Sequence, residues 1–107
     1  MIKMVDLLVR KEGWSHDEFV EYWYEEHSPI AKELPGLRKY VTSVPRDPSR
    51  TEYDGVLELY FDDVDALKAA FDSEVGRRTQ EDAAEFIDLD AGPTLIVDET
   101  TQLDATE

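Results

Sequence analysis

The sequence predicts one α+β domain with the element order strand, helix, strand, strand, helix, strand. Three observations support this prediction. The length of 107 residues fits a single domain. Hydrophobic residues make up 41% of the chain, which is enough to form a core. Their spacing changes along the chain between the period of strands and the period of helices. We place the domain at residues 1–100 and expect residues 101–107 to form a frayed tail.

The first strand and the first helix have the clearest signals. Apolar residues occupy both faces of the stretch from Ile2 to Arg10, as is typical of a strand covered on both sides. Ser15 and Glu18 have the spacing of a capping box, so a helix begins there. The apolar side of this helix carries Phe19, Val20, Trp23, His27, Ile30 and Leu34.

A proline disturbs this helix before its end. Pro29 lacks a backbone donor and disfavours helical geometry at Ser28, so the helix should kink or restart near His27. Pro35 and Gly36 then end it. The kink is expected to open a cavity beside His27.

The remaining elements follow from shorter signals. They are strands over Leu37 to Val44, Gly55 to Phe61 and Thr94 to Glu99, a helix that begins at Asp62 or Asp63, and a shorter helix that begins at Thr79. This order folds naturally as a four-stranded antiparallel sheet with helices on one face, the ferredoxin-like βαββαβ arrangement.

The second face of the sheet also needs a cover. Several apolar residues are predicted on the strand faces away from the helices: Met4, Leu8, Val56, Tyr60 and Ile96. The sheet of a second subunit would bury them and form a two-sheet barrel with helices outside. The sequence therefore predicts a homodimer.

The charge of the chain excludes several partners. Acidic residues number 26 against 11 basic ones, which gives a formal net charge of -15. Such a chain repels phosphate backbones and anionic lipid heads, so neither nucleic acid nor a membrane is an expected partner. The acids are scattered over nearly every segment, which favours a surface adapted to high salt and a halophilic source. The absence of cysteine suits a reducing compartment, and we expect a cytoplasmic protein.

Sequence motifs for several chemistries are missing. RNA-recognition modules share the element order, but they need basic residues beside exposed strand aromatics, which the charge argues against. The chain has no glycine-rich phosphate loop and no nucleophile elbow. The two histidines, His16 and His27, are eleven positions apart and give no metal-ligand spacing, so no metal site is predicted.

His27 is the most informative polar residue. It lies on the apolar side of the first helix, where Pro29 disturbs the backbone. One interpretation is a core or capping histidine. The other is an acid, base or hydrogen-bond donor that faces a cavity.

Three stretches carry a resemblance to a known family. They are Phe19-Val20-Glu21-Tyr22-Trp23, His27-Ser28-Pro29 and Leu34-Pro35-Gly36-Leu37-Arg38-Lys39-Tyr40, with the later Asp54-Gly55-Val56 and Phe61-Asp62. In this combination the chain resembles the EthD family, relatives of methylmuconolactone methylisomerase. The resemblance implies a dimeric α/β barrel with a pocket between the helices and the sheet of each subunit.

The resemblance also implies roles for two residues. In the methylisomerase-like members, the residues that match His27 and Tyr40 belong to the active site and handle a small lactone during proton transfer, without a cofactor. Tyr40 has an alternative interpretation as an ordinary strand aromatic. Trp23, Tyr22 and Tyr60 are predicted to belong to the core or to form the wall of a substrate pocket. Glu58, in the middle of a strand, is predicted either on a wetted face or in the pocket as a base.

The expected function is proton-transfer chemistry on a small carbonyl, lactone or aromatic compound, such as isomerisation, cyclisation or dehydration. Two alternatives remain open. One is a small-molecule binder or accessory protein of a degradation pathway that uses the same pocket without turnover. The other is a cofactor-independent or haem-dependent monooxygenase on the same barrel.

Overall fold

The sheet has the predicted antiparallel architecture. The computed structural model describes residues 1–106. Four strands lie in the order β2-β3-β1-β4, and all their pairings are antiparallel. They are β1 (Ile2–Leu8), β2 (Lys39–Ser43), β3 (Gly55–Phe61) and β4 (Thr94–Asp98). The ferredoxin-like fold predicted from the element order is confirmed.

The helices occupy the two connections of the βαββαβ order. They are α1 (His16–Tyr22), α2 (Ser28–Ala31), α3 (Val64–Asp72) and α4 (Glu74–Phe86), with a π-helical turn over Trp23–His27 and a 3₁₀ turn over Pro48–Arg50. Within residues 1–106 no helix is long and apolar enough to span a membrane.

The first helix begins as predicted but changes its winding before His27. Ser15 Oγ accepts the Glu18 backbone N–H at 3.1 Å, and the Glu18 carboxylate accepts the Ser15 N–H at 2.9 Å. The predicted break takes the form of the π-helical turn, in which the Ser28 N–H donates to the Trp23 carbonyl five residues earlier. A π-turn of this kind often accompanies a functional site. The helical path therefore continues through Pro29 to Ala31 instead of restarting at a Ser28 cap.

The prediction that a helix begins at Thr79 is wrong. Helix α4 begins at Glu74, and Ser73 caps it by accepting the Gly76 N–H at 3.0 Å. Thr79 lies inside this helix, where its hydroxyl donates to the Val75 carbonyl at 2.8 Å. A threonine can bond back to the preceding helical turn as well as cap a following one, and here it does the former.

The strand register corrects the predicted assignment of the two sheet faces. Met4 pairs with Leu59 and with Ile96, so these three side chains point to the same side of the sheet, toward the helices. Leu8 shares the face of Met4 because side chains alternate along a strand. Only Val56 and Tyr60 of the five predicted residues lie on the outer face, because a single sequence does not fix how the faces of separate strands match.

Tyr60 on the outer face is already covered within one chain. It is 7% exposed, and the ammonium groups of Lys3 and Lys39 lie 5.3 and 5.1 Å from its ring centre. Its hydroxyl donates to Glu99 at 2.8 Å, and Lys3 forms ion pairs with Glu58 at 2.5 Å and with Glu99 at 3.0 Å. The centre of the outer face is therefore a polar network, not a wet apolar patch.

The hydrophobic core lies between the inner sheet face and the helices. Its largest fully buried side chains are Trp23, Phe19, Phe61, Phe86 and Leu59. Phe86 is central, since its ring lies 5.2 Å from that of Phe19 and 4.9 Å from that of Tyr22. This packing holds α4 against the helix that carries His27.

Candidate functional site

A cavity of about 350 Å³ opens between the inner face of the sheet and the helices. Its walls are mainly apolar: Met4, Leu8, Ala31, Leu57, Leu59, Phe71, Ala83, Ile87 and Leu89. Six residues with polar side chains also line it: Asp6, His27, Tyr40, Thr79, Gln80 and Thr94. A concave, largely apolar space with a few polar groups is the usual form of a small-molecule site.

His27 enters this cavity from the π-helical turn. Its residue exposure is 3%, and its ring lies 5.1 Å from that of Phe86. Nδ1 lies 2.8 Å from the Asp82 carboxylate. In the neutral imidazole the nitrogen facing the carboxylate carries the proton, so Nδ1–H donates to Asp82. Nε2, which makes no hydrogen bond to residues 1–106, is then left as an acceptor.

Burial sets the protonation state of this imidazole. It lowers the pKa of His27 from its ordinary value near 6.5, because a charged ring is poorly solvated there. The hydrogen bond to Asp82 and the negative charge of its carboxylate oppose this fall. The imidazole is therefore neutral at physiological pH. If it takes up a proton, the Asp82 carboxylate stabilises the charged ring.

Asp82 joins two helices through both of its oxygens. Oδ2 contacts His27, while Oδ1 accepts the Tyr22 hydroxyl at 2.7 Å. This bond, together with burial, raises the pKa of Tyr22 to about 12. The sequence reasoning missed Asp82, which is one of 26 acidic residues in the chain. Its position on α4 four residues before Phe86, on the side that packs against the first helix, is the signal that would have singled it out.

Tyr40 reaches the same cavity from β2. Its register partner is Leu59, whose side chain also lines the cavity, so the phenol points toward the helices. The Tyr40 and Ser28 hydroxyl oxygens lie 3.0 Å apart. Burial raises the pKa of Tyr40, while the Ser28 hydroxyl and the nearby Trp23 indole oppose the rise. The structure thus brings the two predicted catalytic residues to one cavity.

None of the four predicted substrate-binding residues, Trp23, Tyr22, Tyr60 and Glu58, lines the cavity. Trp23 is fully buried under the site, beside Phe19, and its Nε1 has no hydrogen-bond partner within residues 1–106. Tyr22 faces the acidic outer groove of α1 and touches the site only through Asp82. Tyr60 and Glu58 lie on the outer face of β3, away from the cavity, because they alternate with the cavity-lining Leu57 and Leu59.

The carboxyl group of Asp6 also lines the cavity. Asp6 lies on the inner face of β1 opposite Thr94 of β4, and the Thr94 hydroxyl donates to it. Burial raises the pKa of Asp6, while the Thr94 hydroxyl opposes the rise. Within residues 1–106 no cluster of three or more potential metal ligands is present.

Comparison with models of protein families shows which family the chain belongs to. The EthD domain model matches residues 11–90, which is most of the chain and includes both His27 and Tyr40. The chain belongs to the EthD domain family. The family resemblance carried by the three quoted stretches is confirmed. No curated protein sequence matches this EthD chain.

Solved structures share the fold of this EthD domain. An EthD family protein from Bacillus halodurans is 22% identical with a TM-score of 0.79, over 94% of this chain and 99% of the other. A dimeric ferredoxin-like protein of unknown function from Thermobifida fusca is 18% identical with a TM-score of 0.71, over 90% and 88%. SnoaB, a cofactor-independent oxygenase from Streptomyces nogalater, is 14% identical with a TM-score of 0.68, over 99% and 97%. At these identities the similarity establishes the fold alone.

Proposed function

We propose that this EthD domain protein is an enzyme that moves a proton on a small carbonyl, lactone or aromatic compound, with isomerisation, cyclisation or dehydration as the outcome. The observation that carries the proposal is the Asp82–His27 pair at the wall of an apolar cavity that also receives the Tyr40 hydroxyl. The resemblance to methylmuconolactone methylisomerase points to the same chemistry.

His27 acts as the base in this proposal. Asp82 holds the imidazole proton on Nδ1, so Nε2 accepts the proton from the carbon next to the substrate carbonyl. The imidazolium that forms is stabilised by the Asp82 carboxylate at 2.8 Å. His27 then returns the proton to a different atom of the substrate, which completes an isomerisation without a cofactor.

Tyr40 stabilises the charge that develops on the substrate oxygen. A pKa raised by burial keeps its hydroxyl protonated, so the group donates a hydrogen bond to an enolate-like oxygen. The Ser28 hydroxyl, 3.0 Å away, fixes the direction of the phenol. The apolar walls exclude water and strengthen both interactions.

The test is exchange of substrate protons with deuterated solvent. Acetophenone, 2-tetralone and an unsaturated γ-lactone are incubated with the protein in D₂O, and loss of the carbon-bound proton is followed by NMR. We expect the His27→Asn variant to slow the exchange by about 10²-fold or more. Tyr40→Phe should slow it by about 10²-fold, while Tyr24→Phe, at an exposed tyrosine, should not change it.

The result also separates the enzyme from a binding protein. Saturable binding of these compounds without protein-dependent exchange would contradict the proposal and favour a small-molecule binder or accessory protein of a degradation pathway. Equal exchange rates for the wild type and His27→Asn would remove His27 from the mechanism.

A cofactor-independent oxygenase is the second candidate. SnoaB, which has the same fold, is described as one. Removal of a proton from an electron-rich aromatic substrate by His27 would be the first step in that chemistry too. Oxygen consumption in the presence of a hydroxylated polycyclic aromatic compound would favour this candidate, and proton exchange without oxygen uptake would favour the first.

We further infer that two chains pair through their outer sheet faces. Leu95 on this face is 55% exposed, and it lies among Val5, Val97 and Leu7. The Thermobifida fusca relative is described as dimeric.

Light scattering tests this pairing and should give twice the mass of one chain. Leu95→Lys should weaken the dimer and Leu103→Lys, in the exposed tail, should not; a folded monomer of the wild type at micromolar concentration would contradict the inference.

A further inference from the structure

The exposed residues of the cavity mark its mouth. His27 lies toward its closed side, where it is 3% exposed, and Tyr40 lines the same cavity from β2. Leu89 is 59% exposed, and Gln80 and Thr94 are also exposed. Asp6 pairs directly with Thr94 across the sheet, so the carboxyl group and the threonine hydroxyl together border the open side of the cavity.

The strand register gives the distance between the two polar ends. Tyr40 on β2 pairs with Leu59 on β3, which pairs with Met4 on β1, and Asp6 lies two residues further along β1. With strands about 4.8 Å apart and a rise of about 3.3 Å per residue, the Cα atoms of Tyr40 and Asp6 lie about 12 Å apart. Their side chains project into the same cavity, so a molecule with one or two rings spans the gap.

The charges of the cavity-lining residues determine which group this molecule can carry at its outer end. None of the cavity-lining residues within residues 1–106 is a lysine or an arginine. A ligand carboxylate at the mouth would face Asp6 without a cation to balance it, in a chain of formal charge -15. Such a group would gain a repulsive neighbour.

A hydroxyl group fits the same position well. The Thr94 hydroxyl donates to Asp6 Oδ1, which orients the carboxyl group and leaves the other oxygen to accept a hydrogen bond. A ligand alcohol supplies that donor without adding charge. Hydrogen bonds that involve an ionised partner are also stronger than those between neutral groups.

We propose that the Asp6–Thr94 pair selects an uncharged ligand with a hydroxyl group remote from the carbonyl that His27 and Tyr40 hold. This inference rests on the proposed function and names the substrate class of that same site. Asp6 and Thr94 are specificity residues in this proposal, and they take no part in the proton transfer.

The test compares three ligands that differ only at the outer end. They are 4-(hydroxymethyl)acetophenone, 4-acetylbenzoate and 4-methylacetophenone, and their Kd values for the full chain are measured by calorimetry or NMR titration. We expect the alcohol to bind about tenfold more tightly than the carboxylate or the methyl compound, because it alone donates a hydrogen bond to a charged acceptor. Asp6→Asn should bring the Kd values of the alcohol and the carboxylate to within about threefold of each other.

Two further variants make the result specific. Asp98→Asn changes the net charge equally on the exposed strand β4 and should leave the alcohol preference intact. Thr94→Val removes the hydroxyl that orients Asp6 and should weaken the preference. Even if a variant folds poorly, the Kd values of the three ligands for the wild type test the preference for the alcohol.

The outcomes separate this inference from the proposed function. Equal Kd values for the alcohol and the carboxylate on the wild type would overturn the inference and leave the proton-exchange proposal standing. An alcohol preference unchanged in Asp6→Asn would overturn it as well. Failure of all three ligands to bind would overturn it together with the carbonyl site.

Discussion

Two opposing effects act on the imidazole of His27. Burial beside Phe86 disfavours the protonated ring, while the Asp82 carboxylate favours it. The first effect is the larger, so the free nitrogen remains a base at neutral pH. Asp82 also fixes which nitrogen is free, and Tyr22 fixes Asp82. The protonation of one residue thus depends on two others that do not themselves line the cavity.

The first prediction concerns Asp82→Asn. Because the carboxylate raises the pKa of His27, its loss should lower that pKa further below 6.5, as measured by NMR titration of the imidazole. The wild-type exchange rate should rise with pH and level off above the His27 pKa, since only the neutral ring accepts a proton. In the variant this inflection should move to lower pH and the maximal rate should fall.

Glu81→Gln is the matched control for that change. It removes the same charge from the neighbouring position of α4, but its side chain is 72% exposed. The His27 titration should be unaffected. A His27 pKa that rises in Asp82→Asn would mean that Asp82 does not stabilise the protonated ring.

At the scale of elements, two local features position the site. The π-helical turn at Trp23–His27 carries His27 over the cavity, and the close contact of α3 with α4 fixes the helix that holds Asp82. Gly76 allows this contact. A Cβ atom built there would lie 2.4 Å from the Ala70 carbonyl oxygen and 2.6 Å from the Phe71 Cα.

The second prediction follows from that contact. Gly76→Ala should lower the free energy of unfolding by about 1–3 kcal/mol, because the methyl group meets backbone atoms that have little room to move. Helix propensity alone predicts the opposite sign, a gain of about 1 kcal/mol. Urea unfolding measures the difference. Glu85→Ala, at an exposed position of the same helix, should change stability by less than about 0.5 kcal/mol, and a stabilised Gly76→Ala would show that α3 can move away.

At the scale of the whole molecule, the charge is the dominant feature. With 26 acidic and 11 basic residues, the folded chain repels itself, and three of its ion pairs, Arg38–Asp62, Arg77–Glu74 and Arg77–Glu81, are fully at the surface. Surface pairs contribute little to stability. We propose that this surface is adapted to high salt.

The third prediction is a strong dependence of stability on salt. The Debye length grows from about 3 Å at 1 M salt to about 30 Å at 0.01 M, so dilute buffer should lower the melting temperature. A triple variant with Glu21, Glu25 and Glu85 changed to glutamine should depend less on salt, since these acids are exposed. A melting temperature that is the same at all salt concentrations would contradict the proposed adaptation.

Local patterns in the sequence predict the fold and two of the residues that line the cavity. Strand and helix periods, the Ser15 capping box and the break at Pro29 are local signals, so they predicted the four strands and the altered winding beside His27. The position of His27 on the first helix and the family motif that includes His27 and Tyr40 indicate these two residues. These features depend on residues close together in the chain, where sequence reasoning is strongest.

Contacts between residues that are far apart in the chain emerge only when the chain is folded. Asp82 lies 55 residues from His27, and only its helical spacing to Phe86 separates it from the other acids. The faces of β1, β3 and β4 depend on register, and a shift of one residue exchanges the inner and outer side chains of a strand. For that reason the prediction places Met4, Leu8 and Ile96 on the wrong face and allows Tyr60 in a cavity that lies on the other side of its sheet. Glu58 lies on the outer face, which is one of its two predicted places. The carboxyl group of Asp6 was missed for the same reason, because the pairing with Thr94 joins residues 88 positions apart.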